Sequence, residues 1–534
     1  MRRITGSLVV GSMLTSSLAA AVVTSVVTAA PAAAAVVDVK PVLSAGSNGI
    51  ALGPDGNLWV AEQFNSSVAK VSPTGVVLQR IPMTGPPIGV SGGPSGTVWV
   101  TVPEDDKVVR IVAATGAVTD VSTNAGPACG PVAVADGGDG RIYLSLPNDG
   151  GGCVGASALA TVNVADNVVS SPQTGRGTAY DLAVAGGKLY VPDYDADAVR
   201  RVALGVSLTV ETAIGIAGGS GPSGVTVLNG EVYTTLQGTG GVTHFPLTQN
   251  GGTTTTFPGP VGISGPIGIT PDANGQLVVA AGNSIYDLST TGVFTAVPVP
   301  ALSKPQNAVL AANGDVWVTD ANKPQLLRVV DGAPKGAVTT STATSASTAS
   351  VVASVDPRGN ATQFHVDYGT TTAYGSTVAG SVAAGASPLD QTVTLSKLKP
   401  GKTYHLRLTA TNVRGTFVGT DTTFTMPKQV KAKSAFAWTV SASSTVLTTV
   451  KLTKLTGGET VTLTCAGGKA KGCPFKKKTI KKLKKGTKDL SALFKGRQLK
   501  PGAKLVVTVS AKDLIDRTTT LTVRQGKPPK ISRG

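Results

Sequence analysis

The segment Gly53-Pro54-Asp55-Gly56-Asn57-Leu58-Trp59-Val60-Ala61-Glu62 joins two short apolar runs through an Asp-Gly turn, with a tryptophan at the heart of the second run. That is the pattern of two short antiparallel strands. The pattern returns around Trp99, Tyr143, Tyr190, Tyr233, Val278 and Trp317, making seven copies with anchor spacings of 40, 44, 47, 43, 45 and 39 residues. Each interval holds about four short strands: the two just named, a third such as Ser67 to Ser72 or Lys107 to Val112, and in the clearest copies a fourth such as Val76 to Ile81. A period in the low forties with four strands per unit is the arithmetic of a β-propeller blade. The seventh copy ends near Asp331 without a fourth strand, while Val36-Val37-Asp38-Val39 precedes the first copy with no unit to join. The N-terminal strand is therefore expected to complete the last blade and remove two raw sheet edges.

Composition agrees with short strands and turns. The 534 residues include 66 Gly and 33 Pro, and only 14% are charged, which excludes a helical bundle or coiled coil and is too apolar for a disordered chain. The net charge of +17 is uneven: residues 428 to 534 carry 25 Lys or Arg against 4 Asp or Glu, leaving the remainder slightly acidic.

Met1-Arg2-Arg3, a Leu/Val/Ala/Ser/Thr stretch and Pro31-Ala32-Ala33-Ala34-Ala35 read as a secretory signal peptide over residues 1–35 with an A-x-A cleavage site near Ala35. An uncleaved membrane anchor is the alternative. The expected location is secreted, extracellular or held at the cell surface. Four cysteines, paired as Cys129 with Cys153 and Cys465 with Cys473, suit an oxidising compartment. The first pair flanks two antiparallel strands, so that both thiols leave on one face.

The motifs Pro87-Ile88-Gly89-Val90, Pro222-Ser223-Gly224-Val225 and Pro266-Ile267-Gly268-Ile269, with the segment Gly53 to Glu62, resemble the seven-bladed virginiamycin B lyase-like propellers and their NHL and SMP-30 relatives. The resemblance covers residues 36–332. It implies magnesium-assisted opening of a cyclic depsipeptide by a His base beside metal-binding carboxylates. None of the seven first-strand starts carries a His, and the acidic residue closing the second strand survives only as Glu62, Asp193 and Asp320. The one histidine in the repeat region, His244, falls on a third strand. What remains is a candidate ligand face: Asn48, Asp181 and Asn307 precede first strands and Glu62, Asp193 and Asp320 end second strands, all at one end of the ring. Their oxygens suit Ca²⁺ or Mg²⁺ at the channel mouth; the same residue types also cap tight turns.

After Gly332 the stretch from Pro334 to Ser350 reads as a short Ser/Thr/Ala-rich linker merging into a first strand. Leu398-Lys399-Pro400-Gly401-Lys402-Thr403-Tyr404, with Tyr368-Gly369 and Tyr374-Gly375, is similar to the fibronectin type III signature over about 335–426, which implies a hydroxyl of Tyr404 bonded back to the main chain and a spacer role. Residues 428–534 read as a second sandwich of Ig-like or fibronectin type. Its basic patch includes Lys476, Lys477, Lys478, Lys481, Lys482, Lys484 and Lys485. An anionic cell-envelope polymer or a membrane surface is the partner this charge suits; the lack of interleaved aromatics beyond Phe475 and Phe494 argues against nucleic acid. A purely solubilising face is the alternative.

The expected fold class is thus all-β, a seven-bladed β-propeller at 36–332 followed by two β-sandwich domains at 333–427 and 428–534. The leading functional expectation is a secreted protein whose propeller binds a ligand or partner, with a spacer and a basic surface-adhering domain. A lyase of the resembled kind, or a secreted carbohydrate-active hydrolase, is the alternative.

Overall fold

The computed structural model describes residues 35–123, 130–147, 157–263, 265–301 and 303–534. Residues 1–34 of the expected leader, Cys129 and Cys153 lie outside them. Among the described residues the chain is all-β, with helix confined to four short 3-10 segments.

Up to Asp331 the described residues form seven antiparallel sheets. The first sheet runs Ile50–Leu52, Leu58–Glu62, Ser67–Val71 and Val77–Pro82, each strand beside its sequence neighbour. Five more sheets repeat this order, the third gaining the two-residue strand Gln173–Thr174. The seventh consists of Pro305–Leu310, Val316–Asp320 and Leu326–Val330, completed by Val36–Lys40. That last strand is antiparallel to Leu326–Val330, from Val36 opposite Val330 to Lys40 opposite Leu326. The first strands of successive sheets lie side by side, and that of the seventh returns to that of the first.

The local chemistry explains the repeat. Asp55 accepts hydrogen bonds from the Asn57 N–H (3.2 Å) and from the Trp59 indole N–H (3.2 Å), while Gly56 takes the left-handed φ of +73° that the turn needs. The anchors Trp59, Trp99, Tyr143, Tyr190, Tyr233, Val278 and Trp317 are all buried, filling the space between adjacent sheets. The glycine at the head of the first strand answers a close approach: a Cβ on Gly49, Gly89, Gly224 or Gly268 would stand 2.1, 2.3, 1.9 or 2.2 Å from a carbonyl oxygen of the next first strand.

A second device crosses the same gap. The Thr101 hydroxyl accepts the Gly89 N–H (2.7 Å) and donates to the Val132 carbonyl (2.8 Å). Thr235 does the same between Gly224 and Ile267, and Thr319 between Asn307 (3.0 Å) and Asn48 of the first sheet (2.6 Å). Each hydroxyl lies two residues beyond its aromatic anchor, and Thr319 joins the last sheet to the first. Thr319→Val keeps the shape but leaves a buried N–H and a carbonyl without this partner, which should cost about 1–3 kcal/mol. A thermal melt reads the loss; an unchanged melting temperature would mean that the hydroxyl adds nothing to closure.

The linker expectation after Gly332 is corrected by the structure. Lys335–Ala343 is a strand paired with Ala349–Asp356, because the Ser/Thr/Ala run is β-branched enough at Val338, Thr339, Thr340 and Thr342 to hold extended backbone once a partner lies beside it. These two strands and Leu389–Leu395 form one sheet, and the other is built from Ser376–Val382, Thr362–Gly369, Thr403–Asn412, Gly415–Val418 and Thr422–Thr425. Between them sit Val351, Val355, Phe364, Val366, Leu406 and Leu408. The Tyr404 hydroxyl accepts the Lys399 N–H at 2.8 Å.

This unit is fastened to the seventh sheet by charge. Asp315, wholly buried, pairs with Arg328 (2.7 Å) and with Arg358 (2.6 Å). Asp331 pairs with Arg414 (2.5 Å) and accepts a hydrogen bond from the Asn360 amide (2.8 Å), while Asn412 donates to the Gly332 carbonyl (2.9 Å).

The last residues repeat the two-sheet plan. Lys433–Val440, Thr445–Leu455 and Gly486–Asp489 face Lys477–Ile480, Thr460–Ala466, Lys504–Ser510, Arg517–Arg524 and Lys527–Arg533 across a core containing Leu452, Leu463, Phe494, Val507 and Leu521. Cys465 and Cys473 form a disulfide here.

Candidate functional site

The first strands surround a cavity of about 450 Å³. Alternating chain direction puts the starts of first strands and the ends of second strands at one end of the ring, the mouth. The turns between first and second strands lie at the other end, the base. Arg358 meets Asp315 just past the Ala311–Asp315 turn, so the C-terminal units attach at the base and leave the mouth clear.

Asn48, Asp181 and Asn307 all line this cavity, with Tyr180, Tyr194, Ser223, Gln237 and Gln306. Two of the three sit where other copies hold glycine. Register places Asp181 and Asn307 two residues before the partners of Tyr190 and Trp317, the position of Gly49 relative to Trp59. In place of bare close approach, each side chain bonds to the neighbouring strand. Asp181 accepts the Val225 N–H (2.9 Å) and the Leu182 N–H (2.8 Å), and the Asn307 amide meets the Asn48 side-chain oxygen (3.3 Å). Tyr180 and Tyr194 stand edge to face at 5.7 Å.

Enclosure in the channel pushes the Asp181 carboxyl up to about 6, the two backbone donors only partly offsetting the lost hydration. A carboxyl raised above its unfolded value near 3.9 favours the folded state most when protonated, so stability is lost as pH rises from about 4 through about 6. The melting temperature of Asp181→Asn relative to the parent should therefore rise between pH 4 and pH 7. A pH-independent difference would contradict this electrostatic account.

Glu62, Asp193 and Asp320 do not join this group. All three are buried at the outer side of the mouth and consumed by local donors. Glu62 accepts from the Ser44 N–H and hydroxyl, the Ser67 hydroxyl and Arg80; Asp193 from the Thr178 N–H and Arg200; Asp320 from the Lys304 and Asn322 N–H groups and the Gln325 amide. Of the six residues that the repeat places at the mouth, three line the channel and three pin loops. Among the described residues no cluster of three or more His, Cys, Asp or Glu suited to a metal ion occurs. His244 is also elsewhere, on Gly241–Pro246, stacked on Tyr233 (5.1 Å), tilted against Phe257 (4.7 Å) and 3.1 Å from Glu231. The other two histidines, His365 and His405, lie in the first C-terminal unit.

Sequence reasoning missed Gln237, Gln306, Tyr180 and Tyr194. The signal for two of them was present: Tyr180 and Gln306 align with Asn48 once the anchors are superposed.

No protein-family model and no curated protein matches the chain. Among solved structures it is similar to a streptogramin B lyase, at 16% identity and a TM-score of 0.48 over 55% of this chain and 97% of that one. It is similar to a virginiamycin B lyase from Staphylococcus aureus, at 17% identity and a TM-score of 0.48 over 55% of this chain and 98% of that one. It is also similar to the WD40 β-propeller domain of Doa1, at 11% identity and a TM-score of 0.46 over 56% and 98%. Over that span the chain resembles virginiamycin B lyase-like propellers.

The seven candidate lysines of the basic patch are all exposed. Lys477 and Lys478 lie on Lys477–Ile480, an edge strand of the larger final sheet, and Lys481, Lys482, Lys484 and Lys485 lie on the crossing to Gly486–Asp489, an edge of the smaller one. Buried Leu483 anchors the crossing. Charge on exposed edges also blocks pairing with other sheets. Phe475 and Phe494 pack edge to face at 5.6 Å, with Phe494 buried, so this pair serves the core and offers no base-stacking platform.

Proposed function

We propose that residues 36–332 are a seven-bladed β-propeller that binds a small, polar ligand at its mouth without transforming it. Residues 333–427 are read as a fibronectin type III-like spacer, and residues 428–534 as a basic sandwich that holds the secreted protein to an anionic cell-envelope polymer or membrane surface. The observation that carries the binding reading is the lining of the mouth: amides and hydroxyls from Asn48, Gln237, Gln306, Asn307, Ser223 and the two tyrosines around a single carboxyl, Asp181. Amides and phenols bind hydroxyl- and amide-rich ligands by hydrogen bonds and ring contacts. A lyase mechanism of the resembled kind asks for a His base, and all three histidines of this chain are accounted for away from the cavity.

The test is calorimetry of the full chain against oligosaccharides and short peptides, repeated with Asn307→Ala and Gln306→Ala. Saturable binding weakened about tenfold or more by either variant supports the reading, since a lost hydrogen bond left unpaired is of that size. Binding indifferent to both variants, or conversion of the ligand, would overturn it. For the basic unit, truncation after Pro427 should abolish salt-sensitive retention on cell envelopes; undiminished retention would leave the lysines as edge protection.

A further inference from the structure

One channel-facing row of the ring reads Gly49, Gly89, Ala133, Asp181, Gly224, Gly268 and Asn307, each two residues before the partner of its sheet's anchor. Five of these seven are Gly or Ala and fill almost none of the channel. The other two stand at opposite poles. In a closed ring of seven sheets the fourth, which carries Asp181, lies across from the seam between the seventh and the first, where the Asn307 amide meets Asn48. The channel therefore has an acidic wall facing an amide wall, and its volume of about 450 Å³ is of small-molecule size.

Asp181 is the one acidic residue of this lining, and the lining contains no Lys, Arg or His. Glu62 and Asp193, at the same end of the ring, are each paired with an arginine, Arg80 and Arg200. The oxygens of Asp181 each accept one backbone N–H instead, from Leu182 (2.8 Å) and Val225 (2.9 Å). Those bonds fix the carboxylate and leave each oxygen able to accept again. A carboxyl titrating at about 6 is mostly ionised at pH 7. Enclosure without a cation costs it hydration, which an ammonium within hydrogen-bond reach would offset by charge and hydrogen bond together. Tyr180 and Tyr194 line the cavity from the same sheet, 5.7 Å apart, and aromatic faces also attract cations.

We propose that the mouth takes a small primary amine, its ammonium group held by Asp181 and its uncharged hydroxyl or amide groups meeting Asn48 and Asn307 across the channel. A carboxylate on the ligand would find no cation in the lining, so a zwitterionic amino acid does not fit. An amino sugar or the amine end of a peptide does. The inference rests on the mouth being a binding site, and the experiment separates the two.

Calorimetry of the full chain at about pH 7, where Asp181 is ionised and amines are protonated, uses two matched pairs of ligands. These are glucosamine with N-acetylglucosamine and alaninamide with N-acetylalaninamide; acetylation removes the charge and keeps the rest. In at least one pair the amine should bind about tenfold or more tightly than its acetylated form, the size of a charge-assisted hydrogen bond. The pair that shows the preference tells sugar from peptide. Asp181→Asn should abolish the preference. A preference that survives this substitution would mean that the acetyl group is merely too large, and that result, like the lack of a preference in both pairs, overturns the amine. Should Asp181→Asn not fold, Asp181→Ala takes its place, since the third sheet carries Ala133 at this position. Binding of uncharged ligands that Asn307→Ala weakens, with no preference for either amine, would overturn the amine and leave the binding reading intact. Failure of every ligand, neutral or charged, to bind would overturn both.

Discussion

Arg358→Ala should destabilise the protein by about 3–5 kcal/mol and free the C-terminal units from the ring. Arg358 is nearly buried and meets the wholly buried Asp315 at 2.6 Å. Removing the guanidinium strands a share of the negative charge in a place water cannot reach, with only Arg328 left to face it. Arg328 cannot serve fully, because it also reaches Asp38 at 3.2 Å and so ties the N-terminal strand. The joint is tight around this residue: Gly359, at φ +86°, follows it so closely under the Val330 carbonyl that a Cβ there would stand 2.0 Å away. Calorimetry should show the lower melting temperature, and small-angle scattering a larger maximum dimension. A variant with the parent's stability and dimension would mean that the ion pairs ornament a joint held by other forces.

Trp317→Ala should cost about 3–5 kcal/mol, the usual loss when a fully buried large aromatic is truncated and its neighbours cannot collapse into the space. Trp317 is 0% exposed and packs with Leu58, Val60, Val71 and Leu326, so it fills the gap between the seventh sheet and the first. Rigid strands on both sides prevent relaxation. Trp317→Phe, which refills part of the volume, should recover more than half of the loss. Equal losses for the two variants would argue that volume at this seam is not what matters.

The sheets were legible because the repeat carries its own physics: aromatic anchors fill inter-sheet space, Asp-Gly turns reverse the chain, and the glycine at the first-strand head lets neighbouring strands touch. Closure by Val36–Lys40 was legible from a missing strand and a spare one. The fate of Glu62, Asp193 and Asp320 was not, since position in the repeat fixes which end a carboxylate reaches but not whether local N–H groups consume it. Asp181 and Asn307 differ because they replace glycine in the channel-facing row, a distinction that appears only when the copies are set in register. The strand Lys335–Ala343 was hidden for a related reason: its composition is that of a linker, and only pairing with Ala349–Asp356 makes it a strand. The joint to the ring was invisible because Asp315, Arg358, Asp331 and Arg414 are far apart in sequence and look like ordinary turn and loop residues.

Native-state hydrogen exchange across Val36 to Lys40 tests the closed ring most directly. Alternate amides of that strand should exchange as slowly as those of Leu326–Val330, its partner, because both open only when the ring opens. Exchange of all five at the rate of an unstructured peptide, with Leu326–Val330 still protected, would contradict closure by the N-terminal strand.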